Sequence, residues 1–514
     1  MRSLRCCWLP LLVLCGSPVA AQNAAVQPAA ALWSDGGKTW NRERLPDYSY
    51  AGYRAGEVAL PKLPVVANVR SFGARGDGRH DDTDAFRRAI AETHDGALLV
   101  PRGVYRLASV LDINKSQFAL RGGGSGEDGT VLYFEQSMTE MLGKHRWASG
   151  HGAVIWVGDR QNSADNAPDG NELPAFNGPV LATVTQPARR GDRTLKVKDV
   201  RHLSAGDYVV LGLTEDAARS LGRHLHNDQD QPGDSPARSS LEWFVQVKTV
   251  TSDTLELAQP LRGDVRLEWK PEIRAWFGVR EVGIEHLRIR FPDTALRSHF
   301  GWFGNNGLFF DKALNSWAND VTVENGDNGI GLLDCKFVTL ARTRLLSGKR
   351  APEMATDALR GHHGWKISRS ADCLLTDFEI DCQFIHDVTV HRCSGNVIRR
   401  GQGPNLALDH HRDAPFENLY TDIDTGSGQR VWKSSGERTR GPHAGARNTY
   451  WNIRGRDWPA PSAPPWAHIS ANVVPAATDS RTENREWLEL KKSIEPPDLY
   501  EAQLKARLGN DRSK

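Results

Sequence analysis

The stretch VANVRSFGARGDGRHDDTDAFRRAIAE, residues 66 to 92, sets the architecture. Asn68 to Phe72 reads as a strand, and GARGDG as a turn, because Gly and Asp tolerate positive φ. HDDTDAFRRAIAE reads as a helix. Asp and Thr at its start can accept from the unpaired N–H groups, acids in the first turn oppose the helix dipole, and Phe86, Ala89 and Ile90 share one face. Downstream, GALLVPRGVYRLASVLDI (96–113) alternates as short strands, and FALRGGGSGEDGTVLYF (118–134) supplies a strand, a glycine turn and another strand.

Taken in order, FGARGDGRHDDTDAFRRAI, LLVPRGVYRL and LRGGGSGEDGTVLYF resemble the opening of the pectate-lyase-like superfamily of right-handed parallel β-helices. That resemblance implies an all-β solenoid capped by an N-terminal helix, on which polysaccharide lyases and related glycoside hydrolases are built. It also implies that GDGRHDD, despite Asp77, Asp81 and Asp82, is a structural turn and helix cap rather than a metal or phosphate loop.

The rest of the chain supports the same plan. Residues 22–65 form a polar leader followed by the aromatic DYSYAGYRAGE, with Tyr48, Tyr50 and Tyr53 expected to pack on the body. The cap and first coils run over 66–149. Residues 150–270 break the pattern with hairpin-like strands around Leu195–Val197, Tyr208–Leu211 and FVQVKTVTSDTLELAQPL, the reading of a small β-rich insertion. From 271 to 456 coils resume in VGIEHLRIRF, NDVTVENG, CKFVTLARTRLL, CLLTDFEI, IHDVTVHRC and FENLYTDI. Their uneven spacing fits three-strand coils with variable loops that build one groove. Residues 457–514 read as a Pro-rich linker and a helical tail, with Tyr500, Leu504 and Leu508 on one stripe packing against the solenoid.

Composition excludes some functions. A net charge of +2 over 514 residues does not suit a protein that coats nucleic acid. Arg2, Arg5, the apolar CCWLPLLVLCG and the small-residue PVAAQ read as a signal peptide over 1–21. That run is shorter than the ~20 residues a membrane span needs. The expectation is an exported monomer, periplasmic or extracellular, with no membrane span. Export permits disulfides among Cys335, Cys373, Cys382 and Cys393, although small apolar rung-fillers are an equal reading.

Chemistry concentrates between Gly361 and Asp413, which hold six of the 17 histidines: His362, His363, His386, His391, His410 and His411. Elimination from a uronic acid needs a base for the proton beside the carboxylate, cations for the developing enolate, and a proton donor for the leaving oxygen. His362, His363, Lys366, Asp409, His410 and His411 are the catalytic candidates. Arg399, Arg400, Arg412, Trp432 and Lys433 are the candidates for binding an acidic polysaccharide or oligosaccharide, with His443 extending the groove. Calcium is a possible neutralising cation. Hydrolysis would need paired carboxylates. GHHG resembles the Gly-His-Gly element of polygalacturonases, but the adjacent Asp-Asp pair of that family occurs here only as Asp81-Asp82 in the cap. The histidines could also hold a transition metal, although strand alternation should let only one of each His-His pair face the groove. A non-catalytic glycan-binding protein is the reading from a different class.

Overall fold

The computed structural model describes residues 32–143, 152–161, 178–226, 228, 240–293, 304–348, 359–431, 433, 435–436, 444–456, 469–473, 487–489 and 494–511. The signal-peptide reading, Trp432 and His443 lie outside these residues. The helix α1 (Thr83–Glu92) covers the first coil with Phe86, Ala89 and Ile90 buried beneath it. Asp82 accepts from the Arg75 and Gly76 amides, Asp77 from Arg79 and His80, and Asp81 from Thr83. The acidic loop therefore holds its own backbone. The expected strand at Asn68–Phe72 is instead a strand ending at Asn68 and a 3-10 turn over Val69–Phe72. Asn68 caps that turn through the Arg70 amide, and Gly73 closes it at φ 99°. A local side-chain cap has outcompeted ladder pairing there.

Parallel strands then stack into a β-helix with three ladders per coil. One ladder is a seven-stranded sheet made of β1 (Leu111–Ile113), β2 (Ile155–Val157), β3 (Asn306–Asp311), β4 (Asn328–Leu333), β5 (Leu359–Ser368), β6 (Gln383–His391) and β7 (Leu408–His410). A second runs from Gly96–Val100 through Phe118–Gly122, Val282–Arg290, Trp317–Glu324, Thr339–Ala341, Leu374–Thr376 and Val397–Arg399 to Leu419–Asp424 and Asn448–Arg454. The third joins Gly103–Leu107 and Thr130–Phe134 to the far halves of the two long strands and to Arg344–Leu346 and Glu379–Ile380. The coils continue past residue 456, where the sequence suggested a linker. Ile469–Val473 and Trp487–Glu489 add two further parallel strands.

Left-handed residues turn the corners between ladders. Lys312, Asp334, Arg369, Arg392 and Arg412 stack at one corner. Glu281, Asn315, Phe337, Asp372, Gly395 and Glu417 stack at the next, and His286, Asp320, Arg342, Asp377, Arg400 and Asp422 at the third, all with positive φ. Each non-glycine residue in this region costs on the order of 1 kcal/mol. Coil-to-coil bonds such as Glu281 N–H to Leu314 O (3.1 Å) and Gly395 N–H to Glu417 O (2.8 Å) offset that cost. Inside the second corner an asparagine ladder donates upward, Asn396 Nδ2 to Asn418 Oδ1 at 3.0 Å and Asn418 Nδ2 to Asn448 Oδ1 at 3.1 Å. Cys335, Cys373 and Cys393 are buried free thiols, and Cys382 is also free. No disulfide forms among them.

The insertion is a closed six-stranded antiparallel barrel spanning Val180–Thr214 and Ser240–Ala275. It begins later than residue 150, because β2 pairs on both sides with solenoid strands. The barrel docks along the strip between the first two corners, where Phe416 and Ala414 enter its apolar core. A buried ionic network fixes it there. Arg262 bonds Asp372, Lys336 Nζ reaches Asp372 at 2.6 Å, and Glu417 receives Arg190 at 2.5 Å and Arg447 at 2.8 Å. Gly395 is required beneath it, since a Cβ there would lie 2.4 Å from the Arg262 guanidinium carbon.

The second helix of note, α2 (Leu499–Asp511), packs through Tyr500 and Leu504 of the expected stripe, while Leu508 lies outside the apolar cluster. Leu499 and Gln503 are buried beside Tyr500. Tyr500 Oη donates to Ala51 O at 2.7 Å, and Gln503 bonds Tyr48 N and Pro46 O. The aromatic segment near the N-terminus is thus clamped between α2 and the apolar face formed by Leu374, Val397, Leu419 and Trp451.

Candidate active site

The seven-stranded sheet brings the histidines together, because the pairing register places them on neighbouring rungs. His363 lies opposite His386, and Lys366, Thr389 and Asp409 form the next row along the same face. In β7 the alternation is strict. Asp409 joins the histidine cluster, His410 turns inward, and His411 returns to the cluster. His410 occupies the core row with Ile367 and Val390, has no exposed surface, and bonds the Tyr450 hydroxyl at 3.0 Å beside the stacked rings of Tyr420 and Tyr450. It is a core residue rather than a catalytic one, because β-strand periodicity leaves it no path to the face.

Alternation fails at the other pair. The rings of His362 and His363 lie 4.3 Å apart, and both join the cluster. β5 carries an extra residue relative to β6 between Leu359 and Gly361. Such a bulge raises the local twist and re-aims the side chains beside it. His363 stacks on His386 at 4.6 Å, and His386 meets His411 edge-on at 5.1 Å.

Asp409 is the hub. Its carboxylate takes the His411 Nδ1 at 2.9 Å, the His386 Nδ1 at 3.1 Å and the Ser435 hydroxyl at 2.9 Å, with no exposed surface. Burial pushes this carboxyl up, but the imidazoles of His386 and His411 and their hydrogen bonds outweigh it and hold it well below the usual carboxylate range. Burial drives His386 down to about 4 despite Asp409, and drives His363 well below the usual imidazole range, with His362 and His386 adding to the effect. The arrangement is an ionised carboxylate orienting the His386 ring, which burial keeps neutral. His363 Nδ1 is likewise engaged, by Thr389 Oγ1 at 2.9 Å.

Lys366 is part-exposed on the same row. Lys433 stands at the edge, its Nζ donating to Ile385 O at 2.6 Å, and burial with the nearby Arg430 lowers its pKa. The arginines go elsewhere. Arg399 lies on the second ladder and pairs with Asp498 and with Glu501 of α2, the latter at 2.8 Å. Arg400 is a corner residue paired with Asp377 at 2.6 Å. Arg412 is buried at the corner that follows β7. Arg399 and Arg400 serve the scaffold, because adjacency in sequence becomes separation across a coil. His386, Thr389 and Ser435 complete the cluster without having been assigned roles from sequence. Aligning IHDVTVH with GHHGWKIS as successive coils would have found His386. Ser435 arrives on a loop with no such signal.

Among the described residues, the cluster offers one carboxylate and four imidazoles. Calcium takes six to eight oxygen ligands, so this donor set does not fit it. Asp387, the neighbouring carboxylate, is buried and bound to the Phe384 and Ala407 amides and to Arg430. An accessible carboxylate pair is therefore lacking among the described residues of this region.

A family profile described as "Rhamnogalacturonase A/epimerase, pectate lyase-like" matches residues 66–148. The first coils are thus similar to that pectate-lyase-like family. The remaining coils extend the same β-helix architecture by their own pairing. Among curated proteins, "Alginate lyase 7" of Azotobacter vinelandii is 39% identical over 84 residues, covering 15% of this chain and 10% of that protein. The chain thus spans a tenth of the length of that relative. Among solved structures, the tailspike gp49 of Pseudomonas phage LKA1 aligns with TM-score 0.49 and 15% identity over 75% of this chain and 59% of that one. An endo-xylogalacturonan hydrolase from Aspergillus tubingensis aligns with TM-score 0.39 and 11% identity over 75% and 72%.

Proposed function

We propose that the protein is an exported enzyme that cleaves an acidic, uronate-containing polysaccharide by β-elimination. The observation that carries this reading is the Asp409–His411 pair on the solenoid face. The carboxylate holds Nδ1 at 2.9 Å, which leaves Nε2 as the ring atom that can accept a proton. His411 retains some exposure in the cluster, whereas His362, His363 and His386 are buried. His411 is the base that takes the proton beside the uronate carboxylate. The electron pair left behind forms the ring double bond, the glycosidic C–O bond breaks, and the leaving oxygen collects a proton from Lys366. Lys433 adds positive charge near the developing enolate. General base catalysis of this kind contributes typically ~10²–10⁴-fold.

The scarcity of carboxylates supports elimination over hydrolysis, which needs two of them flanking the bond. The N-terminal Arg2–Ala21 pattern supports export, and the superfamily of the first coils supports a glycan as substrate. The test is incubation with a panel of uronate polymers, alginate first because the curated relative bears that name. The ultraviolet absorbance of the conjugated product should rise. New reducing ends without that absorbance would replace elimination by hydrolysis, and binding with neither product would leave a glycan-binding protein.

A further inference from the structure

We infer that His362, His363 and His386 form a binding site for a divalent transition metal of the zinc class, buttressed by Asp409 and Thr389. One ring nitrogen from each of the three histidines lies within 4.8 Å of the others. Zinc–imidazole bonds of 2.0–2.1 Å in a tetrahedral site put ligand nitrogens ~3.4 Å apart. The ring nitrogens therefore need to close by at most about 1.4 Å, within reach of small χ rotations. All three histidines are at most 3% exposed, so the site is shielded as a metal centre requires.

The outer contacts are those a metal site needs. Metal-bound histidines usually pass their other N–H to a carboxylate, a hydroxyl or a carbonyl, which fixes the tautomer and turns the remaining nitrogen to the ion. Here His386 Nδ1 faces Asp409 Oδ2 at 3.1 Å and Ser435 Oγ at 3.1 Å, and His363 Nδ1 faces Thr389 Oγ1 at 2.9 Å. Nε2 is then the metal-facing atom of both rings. An imidazole-rich set with one carboxylate behind it selects zinc, cobalt, nickel or copper over the oxygen-seeking calcium and magnesium. Three protein ligands leave a fourth position open for an oxygen ligand. The role of the ion in turnover, taking the uronate carboxylate and its enolate charge, rests on the elimination proposed above. Its binding does not.

The test uses the full chain, stripped by a chelator and dialysed against Zn²⁺ or Co²⁺. The expected result is one equivalent bound per chain, with the intense visible absorbance of tetrahedral Co²⁺. His363→Ala and His386→Ala should each lose stoichiometric binding, and Asp409→Asn should weaken it about 10–100-fold. His94→Ala, on the exposed end of the cap, should bind as the wild type does. Wild-type protein that takes up no stoichiometric metal overturns the inference whatever the variants do. So does uptake that survives His386→Ala in a protein that melts normally. Elimination at full rate by the metal-free protein removes the ion's catalytic role and leaves the lyase standing. Metal binding without an unsaturated product from any uronate polymer sustains the site and removes the lyase.

Discussion

Asp409 and His411 are joined side chain to side chain at 2.9 Å, while His410 between them points into the solenoid core. A single residue of β-strand pitch thus separates each member of a working pair from a packing residue. Replacing Asp409 by Asn keeps the shape but removes the charge that orients His411. Turnover of a uronate polymer should fall by at least about 100-fold, with the far-ultraviolet circular dichroism unchanged. A rate within a few-fold of wild type would remove Asp409 from the mechanism.

The two neighbouring histidines should separate cleanly in a paired experiment. His411→Ala is expected to abolish product formation with little change in melting temperature. His410→Ala opens a cavity beside the stacked Tyr420 and Tyr450 rings and should cost roughly 3 kcal/mol of stability. Denaturant unfolding of both variants checks this, and equal destabilisation by the two would contradict the inward placement of His410.

Acid should loosen the barrel from the solenoid. Burial alone pushes the Glu417 carboxyl up, but Arg190, Arg447 and Arg262 outweigh it and hold it at about 2, against 4.5 for an ordinary glutamate. A folded-state pKa below the unfolded one contributes stability that is complete above pH 4.5 and is lost as pH falls toward 2. The shift corresponds to on the order of 3 kcal/mol. Melting temperature measured from pH 6 down to pH 3 should drop, and Glu417→Gln should flatten that slope while lowering the plateau.

The same interface predicts an asymmetry. Asp372→Ala leaves Lys336 and Arg262 buried without their shared carboxylate and should cost roughly 3–5 kcal/mol. Exposed pairs such as Lys196–Asp253 should contribute under about 1 kcal/mol when broken. Urea titration of Asp372→Ala and Asp253→Ala tests the contrast.

The asparagine ladder offers a fifth point. Asn418 bonds Asn448 on one coil and Asn396 on the other, so Asn418→Ala strips partners from buried amides on both sides. A loss of about 1–3 kcal/mol is expected. Asn418→Asp should not restore it, because a carboxylate has no N–H to donate upward.

What the sequence by itself determined is local. The order of cap helix, Gly-rich turn and alternating strands in residues 66–134 is enough to specify a solenoid, because each coil buries its own apolar rows and repeats the same corner. The density of histidines between Gly361 and Asp413 is legible for the same reason, since a repetitive fold stacks what a coil repeats. Tertiary structure decided which of them meet. Pairing register set His363 beside His386, strand alternation sent His410 inward, and a bulge kept His362 with its neighbour. Arg399 and Arg400 show the limit most plainly, lying close in sequence to the cluster yet paired with Glu501 and Asp377 on another part of the coil. A sequence records spacing along the chain, whereas a site on a β-helix is assembled across it, by rungs whose offset depends on loops of unequal length.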